Sequence, residues 1–195
     1  MKKVSFTLLF SAILVLSGCK NDKRADDATT PAETNQTTQD TQREEAKKIT
    51  VTIESKSGSN LSGNAVFTEE NGQVTMTAII DGLSEGMHAI HLHESADCSA
   101  EDGSTAGGHW NPTAEKHGEW GDAAGYHRGD IGNFKVDANG NGTITKTTDQ
   151  WCIGCDDQNK NIVGKAVVVH DGVDDFTSQP AGDAGSRVGC GSIRM

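Results

Sequence analysis

Residues 86–94 read Gly-Met-His-Ala-Ile-His-Leu-His-Glu, and this stretch decides how the rest of the chain is interpreted. Side chains alternate between the two faces of a β-strand, so His91 and His93 lie on one face and the apolar residues beside them on the other. Two imidazoles about 7 Å apart on one strand face can chelate a single metal ion. His88 has the opposite parity and is not expected to join them. The alternative is a polar strand surface that binds nothing, and the remaining sequence has to decide between the two.

Short runs that alternate apolar and polar residues recur on both sides of this stretch, and helical periodicity is absent. Such runs occupy residues 49–54, 65–67, 74–80, 131–136, 143–147 and 187–193, and residues 166–169 form a continuous apolar strand that ends in His170. Glu69-Glu70-Asn71-Gly72 and Asn139-Gly140-Asn141-Gly142 are hairpin signals between neighbouring runs. About eight short strands separated by turns predict an all-β domain, a β-sandwich or flattened barrel.

Two long, glycine-rich segments, residues 95–126 and 171–186, break this pattern. Loops of that length inside a compact domain are usually functional. The remaining histidines flank or lie within them, at positions 109, 117, 127 and 170. All seven histidines are therefore expected at one loop-bearing end of the domain.

The amino terminus predicts export. Met-Lys-Lys is followed by an apolar run at residues 4–16 and by Leu-Ser-Gly-Cys at residues 16–19. This pattern resembles a bacterial lipoprotein signal, with residues 1–18 removed and a lipid attached to Cys19. The alternative is an ordinary signal peptide followed by a stray cysteine. Since Lys20 stands where an inner-membrane retention signal would have Asp, we expect a lipid-anchored envelope protein, periplasmic or at the outer membrane or surface.

Residues 19–48 and residues 49–195 differ sharply in composition. The first segment has almost no large apolar side chain and predicts a flexible tether. The second has the normal size of one domain and carries 9 Lys and Arg against 21 Asp and Glu, a balance of −12. Such a surface repels nucleic acid and anionic lipid, so a nucleic-acid partner is excluded and the lipid on Cys19 is expected to provide membrane attachment.

The loop histidines suggest two metal sites. His109, His117, His127 and Asp130 form a plausible tetrahedral set for zinc. His91, His93 and His170 lie at strand ends and could supply the nitrogen-rich site that copper favours. Two sites need more nitrogen than the chain easily supplies, unless one imidazole serves both metals through its two ring nitrogens.

Six short motifs follow one another along the domain. They are the opening stretch, Gly-Gly-His-Trp-Asn-Pro at 107–112, Lys-His-Gly at 116–118, His-Arg-Gly-Asp-Ile-Gly-Asn at 127–133, Val-Val-Val-His at 167–170 and Gly-Asp-Ala-Gly-Ser-Arg-Val-Gly-Cys-Gly at 182–191. With them the domain resembles the copper,zinc superoxide dismutase family, from about residue 49 to the C-terminus. Each motif is weak alone, but their shared order is specific. The resemblance implies an eight-stranded Greek-key sandwich or flattened barrel with two long functional loops.

The resemblance also implies a residue-by-residue assignment of the site, with one copper (Cu²⁺/Cu⁺) and one Zn²⁺ per subunit. Copper would be bound by His91, His93, His109 and His170, and zinc by His109, His117, His127 and Asp130. His88 and Asp174 would support the ligands by hydrogen bonds, Arg187 would lie beside the copper, and Cys98 and Cys190 would form a disulfide. The implied reaction converts two superoxide ions to dioxygen and hydrogen peroxide, with Arg187 and the bridging His109 as its catalytic residues. A second copy of the chain and a copper donor are candidate partners.

Two features depart from the family pattern. The second loop is shorter than in animal enzymes, so substrate guidance is expected to depend more on Arg187, with Lys165 or Arg128 as further candidates. The alternative for these two residues is an ordinary solvated surface charge. Cys152 and Cys155 form an added Cys-x-x-Cys, which can be half a zinc site, a redox pair or a local disulfide. With Cys19 lipidated, four cysteines remain in an oxidising compartment, and a disulfide is the preferred interpretation.

Two other functional classes compete with the dismutase. A copper- or zinc-binding envelope protein without turnover is the main alternative, although such relatives usually lack a ligand or the arginine. A zinc hydrolase needs an open zinc position and a general base. Three histidines and Asp130 would fill the zinc site, which disfavours the hydrolase.

Overall fold

Eight antiparallel strands close into a barrel in the computed structural model, which describes residues 46–195. The strands are β1 (Lys47–Ser55), β2 (Ser62–Glu70), β3 (Gln73–Asp81), β4 (Gly86–His93), β5 (Gly132–Val136), β6 (Gly142–Thr148), β7 (Ala166–His170) and β8 (Arg187–Ser192). The predicted all-β, eight-stranded fold is confirmed. The predictions of a signal peptide, of lipidation at Cys19 and of a tether up to residue 45 lie outside the described residues.

The strand order around the barrel is β1-β2-β3-β6-β5-β4-β7-β8. The chain crosses from β3 to β4 past two strands and returns from β6 to β7 in the same way, which makes the arrangement a Greek key. As a result β4 lies between β5 and β7, with Ile90 opposite Gly132 on one side and His93 opposite Ala166 on the other. The opening stretch of sequence therefore lies beside the strand that ends in His170.

The interior of the barrel is formed by the apolar half of each alternating run. Phe67, Met76, Ile90 and Leu92 are completely buried in one continuous hydrophobic cluster. Burial of a side chain of this size stabilises the fold by about 1.5–3 kcal/mol relative to leaving it exposed. Since Ile90 and Leu92 enter this core, the histidines between and after them are directed to the other face of β4.

The predicted hairpin between β2 and β3 turns at Asn71-Gly72. Both residues have positive φ, 51° and 73°, which matches the right-handed twist of the flanking strands and explains why Asn and Gly are found there. The first strand begins at Lys47, two residues before the predicted start of the domain. Lys47 pairs with Glu69 across the β1–β2 ladder, and the exposed Lys47 forms an ion pair at 3.5 Å with the half-buried carboxylate of Glu69.

Three long connections complete the fold. The first loop joins β4 to β5 and contains one short 3-10 turn, Ser104–Ala106, and the second joins β7 to β8. A disulfide between Cys98 and Cys190 fastens the first loop to β8. A second disulfide, Cys152–Cys155, lies in the crossover from β6 to β7, in agreement with the preferred interpretation of that motif. Within the described residues, the structure contains no helix with the length and hydrophobicity needed to cross a bilayer.

Candidate metal centre

The outward face of β4 forms the floor of the site. His91 and His93 are almost completely buried there, although they do not enter the barrel core. They are covered by the first loop, which returns along β4 so that the Trp110 amide donates to the Leu92 carbonyl at 2.8 Å. This pairing places His109 directly opposite His93 in an isolated antiparallel bridge.

A first cluster consists of four buried imidazoles. One nitrogen from each lies within 4.8 Å of the others, and the four residues are His91, His93, His109 and His170. β4 supplies two of them and the first loop supplies one. The fourth comes from the end of β7, the strand that pairs with β4 over residues 90–93. Four neutral imidazoles are the type of donor set that copper accepts.

A second cluster is formed by the first loop. Its donor atoms also lie within 4.8 Å of one another, and its members are His109, His117, His127 and Asp130. All four side chains are buried. Three imidazoles and one carboxylate match a tetrahedral zinc site.

His109 belongs to both clusters. Its Nδ1 lies 2.9 Å from Oδ1 of Asp130, on the side of the second cluster. Its Nε2 is buried and has no hydrogen-bond partner in the described structure. One imidazole therefore offers a nitrogen to each cluster, which resolves the shortage of nitrogen ligands in the sequence.

The outer ring nitrogens are held by the protein. Asp174 lies 2.8 Å from Nε2 of both His91 and His117, through its two different oxygens. Nδ1 of His93 lies 2.9 Å from the Gly107 carbonyl. The corresponding contacts of His170 and His127 are longer, at 3.3 Å to the Gly185 carbonyl and 3.2 Å to the Glu115 carbonyl. Such contacts fix the orientation of a ligating ring.

Several inner ring nitrogens make no hydrogen bond, and this is the test of whether metals fit. They are Nδ1 of His91, Nε2 of His109, Nδ1 of His117 and Nδ1 of His127, and the last two lie 3.1 and 3.3 Å from the carboxylate oxygens of Asp130 without hydrogen-bond geometry. Burying so many unsatisfied polar atoms is costly unless another partner is bound. Because each unpartnered nitrogen belongs to a cluster member, the residues present fit a metal ion in each cluster.

Burial controls the protonation of the first cluster. It lowers the pKa of His109 to about 4, against a raising effect of the Asp130 contact, and the pKa of His170 to about 3. Burial and the neighbouring His109 also lower the pKa of His93 well below its ordinary value. Burial thus keeps His93, His109 and His170 neutral, the form of the imidazole that binds a metal.

Asp130 gives the second cluster a different electrostatic character. Burial opposes its ionisation, but contacts with His109, His117 and His127 hold the pKa of the carboxyl far below its usual range. Burial likewise opposes protonation of His117, yet Asp130 and Asp174 together raise the pKa of its imidazole to about 9. The second cluster therefore contains a fixed negative charge, which suits a divalent cation.

His88 lies outside both clusters, as its strand parity predicts. Its ring nitrogens are 3.1 Å from the carbonyl of His170 and 2.9 Å from the carbonyl of Ser84. It therefore contacts the backbone at the end of β7, immediately behind the first cluster.

A cavity of about 670 Å³ opens onto the first cluster, and the side chains of His93, His109 and His170 form part of its wall. Arg187 is the one cationic residue among the described residues that line it. Its guanidinium donates to the carbonyls of Gly103 at 2.8 Å and Gly107 at 2.7 Å. The arginine is thus fixed at the cavity wall by the first loop.

Neither alternative cation lies in this wall. Lys165 lies over the ring of Trp110, 5.6 Å from its centroid, and donates to the Glu94 carbonyl at 3.3 Å. Arg128 borders a smaller surface cavity together with Asp122. Among the described residues, Arg187 is the cation positioned to meet an anion in the main cavity.

Sequence reasoning missed two amide side chains that support the site. Asn133 contacts the backbone of Asp174, and Gln179 contacts the backbone of His117. Asn133 is the last residue of the motif at residues 127–133. The motif marked it as a residue of interest but gave no indication that it contacts Asp174. Gln179 lies in a polar loop, and nothing in the sequence distinguishes it from its neighbours.

Similarity to known proteins identifies the family of this site. The sequence profile described as copper/zinc superoxide dismutase (SODC) matches residues 61–193. The chain belongs to the copper/zinc superoxide dismutase family. It is 35% identical over 135 residues to "Superoxide dismutase (Cu-Zn) 2" of Aquifex aeolicus (strain VF5), an alignment that covers 68% of this chain and 78% of that protein.

Two solved structures are also similar to the chain. The clock protein EA4 matches with a TM-score of 0.65 and 31% identity, over 74% of this chain and 92% of that one. A double mutant of a SOD-like protein from Bacillus subtilis matches with a TM-score of 0.67 and 26% identity, over 75% and 97% of the two chains. The proteins to which the chain is similar are thus named as a dismutase, a clock protein and a SOD-like protein.

Proposed function

We propose that the protein is an active superoxide dismutase that converts two superoxide ions to dioxygen and hydrogen peroxide. The observation that carries the proposal is His109, whose Nδ1 faces Asp130 while its Nε2 is unpartnered among the other three imidazoles. Copper held by the first cluster would supply one-electron redox chemistry, and zinc held by the second would fix the geometry without changing its charge.

Arg187 binds and orients the anionic substrate in this proposal. Its guanidinium has five N–H donors, and two nitrogens are already engaged by Gly103 and Gly107. The remaining N–H groups can face the cavity that it lines. The surface charge of the domain opposes an anion, but charges beyond about 10 Å are largely screened at 0.1 M salt. Arg187 is therefore the local attraction for an anion, set against Glu115 and Asp183, which line the same cavity.

His109 supplies the proton-holding atom. Its Nδ1 remains engaged on the Asp130 side, so a proton can be held at Nε2, next to the cavity. From there the proton can pass to a reduced substrate anion, while a second proton comes from solvent. Two protons and two superoxide ions then balance one dioxygen and one hydrogen peroxide.

The direct test combines metal content with turnover. We expect one copper and one zinc per chain, dismutation that disappears when copper is removed, and recovery when copper alone is returned. Full metal content without turnover would overturn the proposal and favour the alternative, a copper- and zinc-binding protein without catalysis. The SOD-like and clock relatives keep this alternative relevant. The presence of a complete ligand set and of Arg187 in the cavity wall favours catalysis.

We further propose that the protein is lipidated at Cys19 and protects the cell envelope from superoxide formed there. The support is the sequence of residues 1–19 together with two disulfides, which are typical of exported proteins. Metabolic labelling with a fatty acid tests the proposal: wild-type protein should be labelled and C19S should not. Label retained by C19S would contradict it.

A further inference from the structure

We propose that Gln179 is a positioning residue that holds His117 in place for zinc and couples the cavity wall to the second cluster. The inference rests on the proposed function, because it assigns zinc to that cluster. Gln179 belongs to the second loop, whereas His117 belongs to the first, and 62 positions separate them in the sequence.

The amide of Gln179 contacts both backbone polar groups of His117. The His117 N–H donates to Oε1 at 2.9 Å, and Nε2 donates to the His117 carbonyl at 2.9 Å. Nε2 also donates to the carbonyl of Thr177 at 3.2 Å within its own loop. The side chain thus occupies the place of a neighbouring strand and satisfies a donor and an acceptor on one residue.

The imidazole of the same histidine is held independently by the same loop. Nε2 of His117 lies 2.8 Å from Oδ1 of Asp174. The second loop therefore contacts His117 at its backbone through Gln179 and at its ring through Asp174. With the peptide and the outer nitrogen both fixed, Nδ1 is aimed at the cluster, where it lies 3.1 Å from Oδ2 of Asp130 without a hydrogen bond.

Gln179 also forms part of the cavity. Together with Pro180 and Ala181 it lines the cavity, as do the first-loop residues Asn111 and Glu115. The segment is folded back by a hydrogen bond from the Gly182 amide to the Ser178 carbonyl at 2.7 Å. The side chain of Gln179 anchors this turn to His117. The position of His117 in the second cluster and the position of the turn in the cavity wall therefore depend on the same hydrogen bonds.

Only an amide of this length satisfies both contacts. Glu has the same shape, but its carboxylate cannot donate to the His117 carbonyl and would face the Thr177 carbonyl as well. Q179E therefore tests the hydrogen-bond pattern with little change in volume, and Q179A removes it altogether. Q73E is the matched control, because Gln73 is exposed at the start of β3 and the charge change is the same.

The experiment measures the affinity of the full-length, metal-free protein for zinc alone by competition with a chromophoric chelator at neutral pH. Loss of such an outer contact typically weakens metal binding by about 10–100-fold. We expect a weakening of at least about tenfold for Q179E and Q179A, wild-type affinity for Q73E, and unchanged copper affinity in all three. Co²⁺ bound in place of zinc should show an altered visible spectrum in Q179E, which reports directly on ligand geometry.

The outcomes are distinct. Zinc affinities equal to wild type in both Gln179 variants would overturn the inference. Parallel losses of zinc affinity, copper affinity and stability to urea would also overturn it, because they indicate a general folding role. If the wild-type protein binds no zinc, the proposed function itself fails. That result comes from the wild-type protein alone and is therefore distinct from a failure of the inference on Gln179.

Discussion

Asn133 and Asp174 hold each other by two reciprocal hydrogen bonds, although they lie 41 positions apart. Nδ2 of Asn133 donates to the Asp174 carbonyl at 2.8 Å, and the Asp174 amide donates to Oδ1 of Asn133 at 2.9 Å. Asn133 lies in β5, so the barrel itself fixes the backbone of Asp174. Because the carboxylate of Asp174 contacts both His91 and His117, one strand residue influences both clusters.

Asn133→Ala should lower the free energy of unfolding by about 1–3 kcal/mol, since it leaves the Asp174 amide and carbonyl without partners. It should also weaken the binding of both metals, because Asp174 orients a ring in each cluster. Urea unfolding and separate copper and zinc titrations measure these effects. Asn133→Asp keeps the oxygen that accepts from the Asp174 amide but loses the N–H that donates to the Asp174 carbonyl. Because Asp174 contacts a ring in each cluster, weaker binding of zinc with unchanged binding of copper would contradict this account.

Arg187→Ala should lower kcat/KM by about tenfold or more and flatten its dependence on ionic strength, because the charge that attracts the anion is lost. Arg187→Lys should keep the ionic-strength dependence but not the paired contacts with Gly103 and Gly107. Steady-state kinetics from low to high salt provide the measurement. Unaltered kinetics in the alanine variant would exclude guidance by this residue.

Copper binding by the Arg187 variants needs its own control. The Gly107 carbonyl that accepts from Arg187 is also the partner of His93. Loss of the guanidinium therefore removes one contact from the Gly107 carbonyl, which orients the imidazole of His93 in the first cluster. Copper content must be measured beside each rate, so that lower occupancy is separated from lower substrate attraction.

The metal-free protein should be most stable near pH 6.5. The pKa of His109 is lowered to about 4 and that of His170 to about 3, so between about pH 4 and 6.5 the unfolded chain binds more protons and stability rises with pH. The pKa of His117 is raised to about 9, so above 6.5 the folded state binds more protons and stability falls. Urea unfolding at pH 5, 6.5 and 8.5 measures the profile. A monotonic increase from pH 5 to 8.5 would contradict it.

The two disulfides should differ in their contribution to stability. Cys98–Cys190 closes a segment with a sequence separation of 92, whereas Cys152–Cys155 has a separation of 3. Loop-closure entropy predicts losses of about 4–5 kcal/mol for C98S/C190S and about 2 kcal/mol for C152S/C155S. Unfolding of the two double mutants, with thiol titration of the wild type as a control, measures the difference. Free thiols at Cys152 and Cys155 in the oxidised protein would show that the short pair serves another purpose.

The barrel was largely predictable because its signal is local. Alternation of apolar and polar residues identified the strands, and Asn71-Gly72 and the turn at residues 139–142 identified two hairpins. The start of β1 at Lys47 was missed because a polar tether and a polar, exposed strand end have similar composition. Tertiary pairing with Glu69 decides that boundary, and a single segment carries no information about its partner.

The candidate ligands were predictable for a different reason. Imidazole and carboxylate side chains are common metal ligands, so His109 and Asp130 could be proposed as ligands from the sequence alone. Asn133 and Gln179 act through ordinary backbone hydrogen bonds, for which any polar loop residue is a candidate. The shared carbonyl of Gly107 was still less accessible, because a main-chain acceptor has no sequence signature.

The arrangement of the first cluster also determines when its four imidazoles can bind one metal ion together. His93 and His170 are 77 positions apart and meet only when β4 pairs with β7. A chain whose barrel has not yet closed has neither a complete copper cluster nor the neighbouring strand that supports it. A metal ion held by all four imidazoles of the first cluster therefore requires the paired β4 and β7 strands, whereas the second cluster is drawn from the first loop alone.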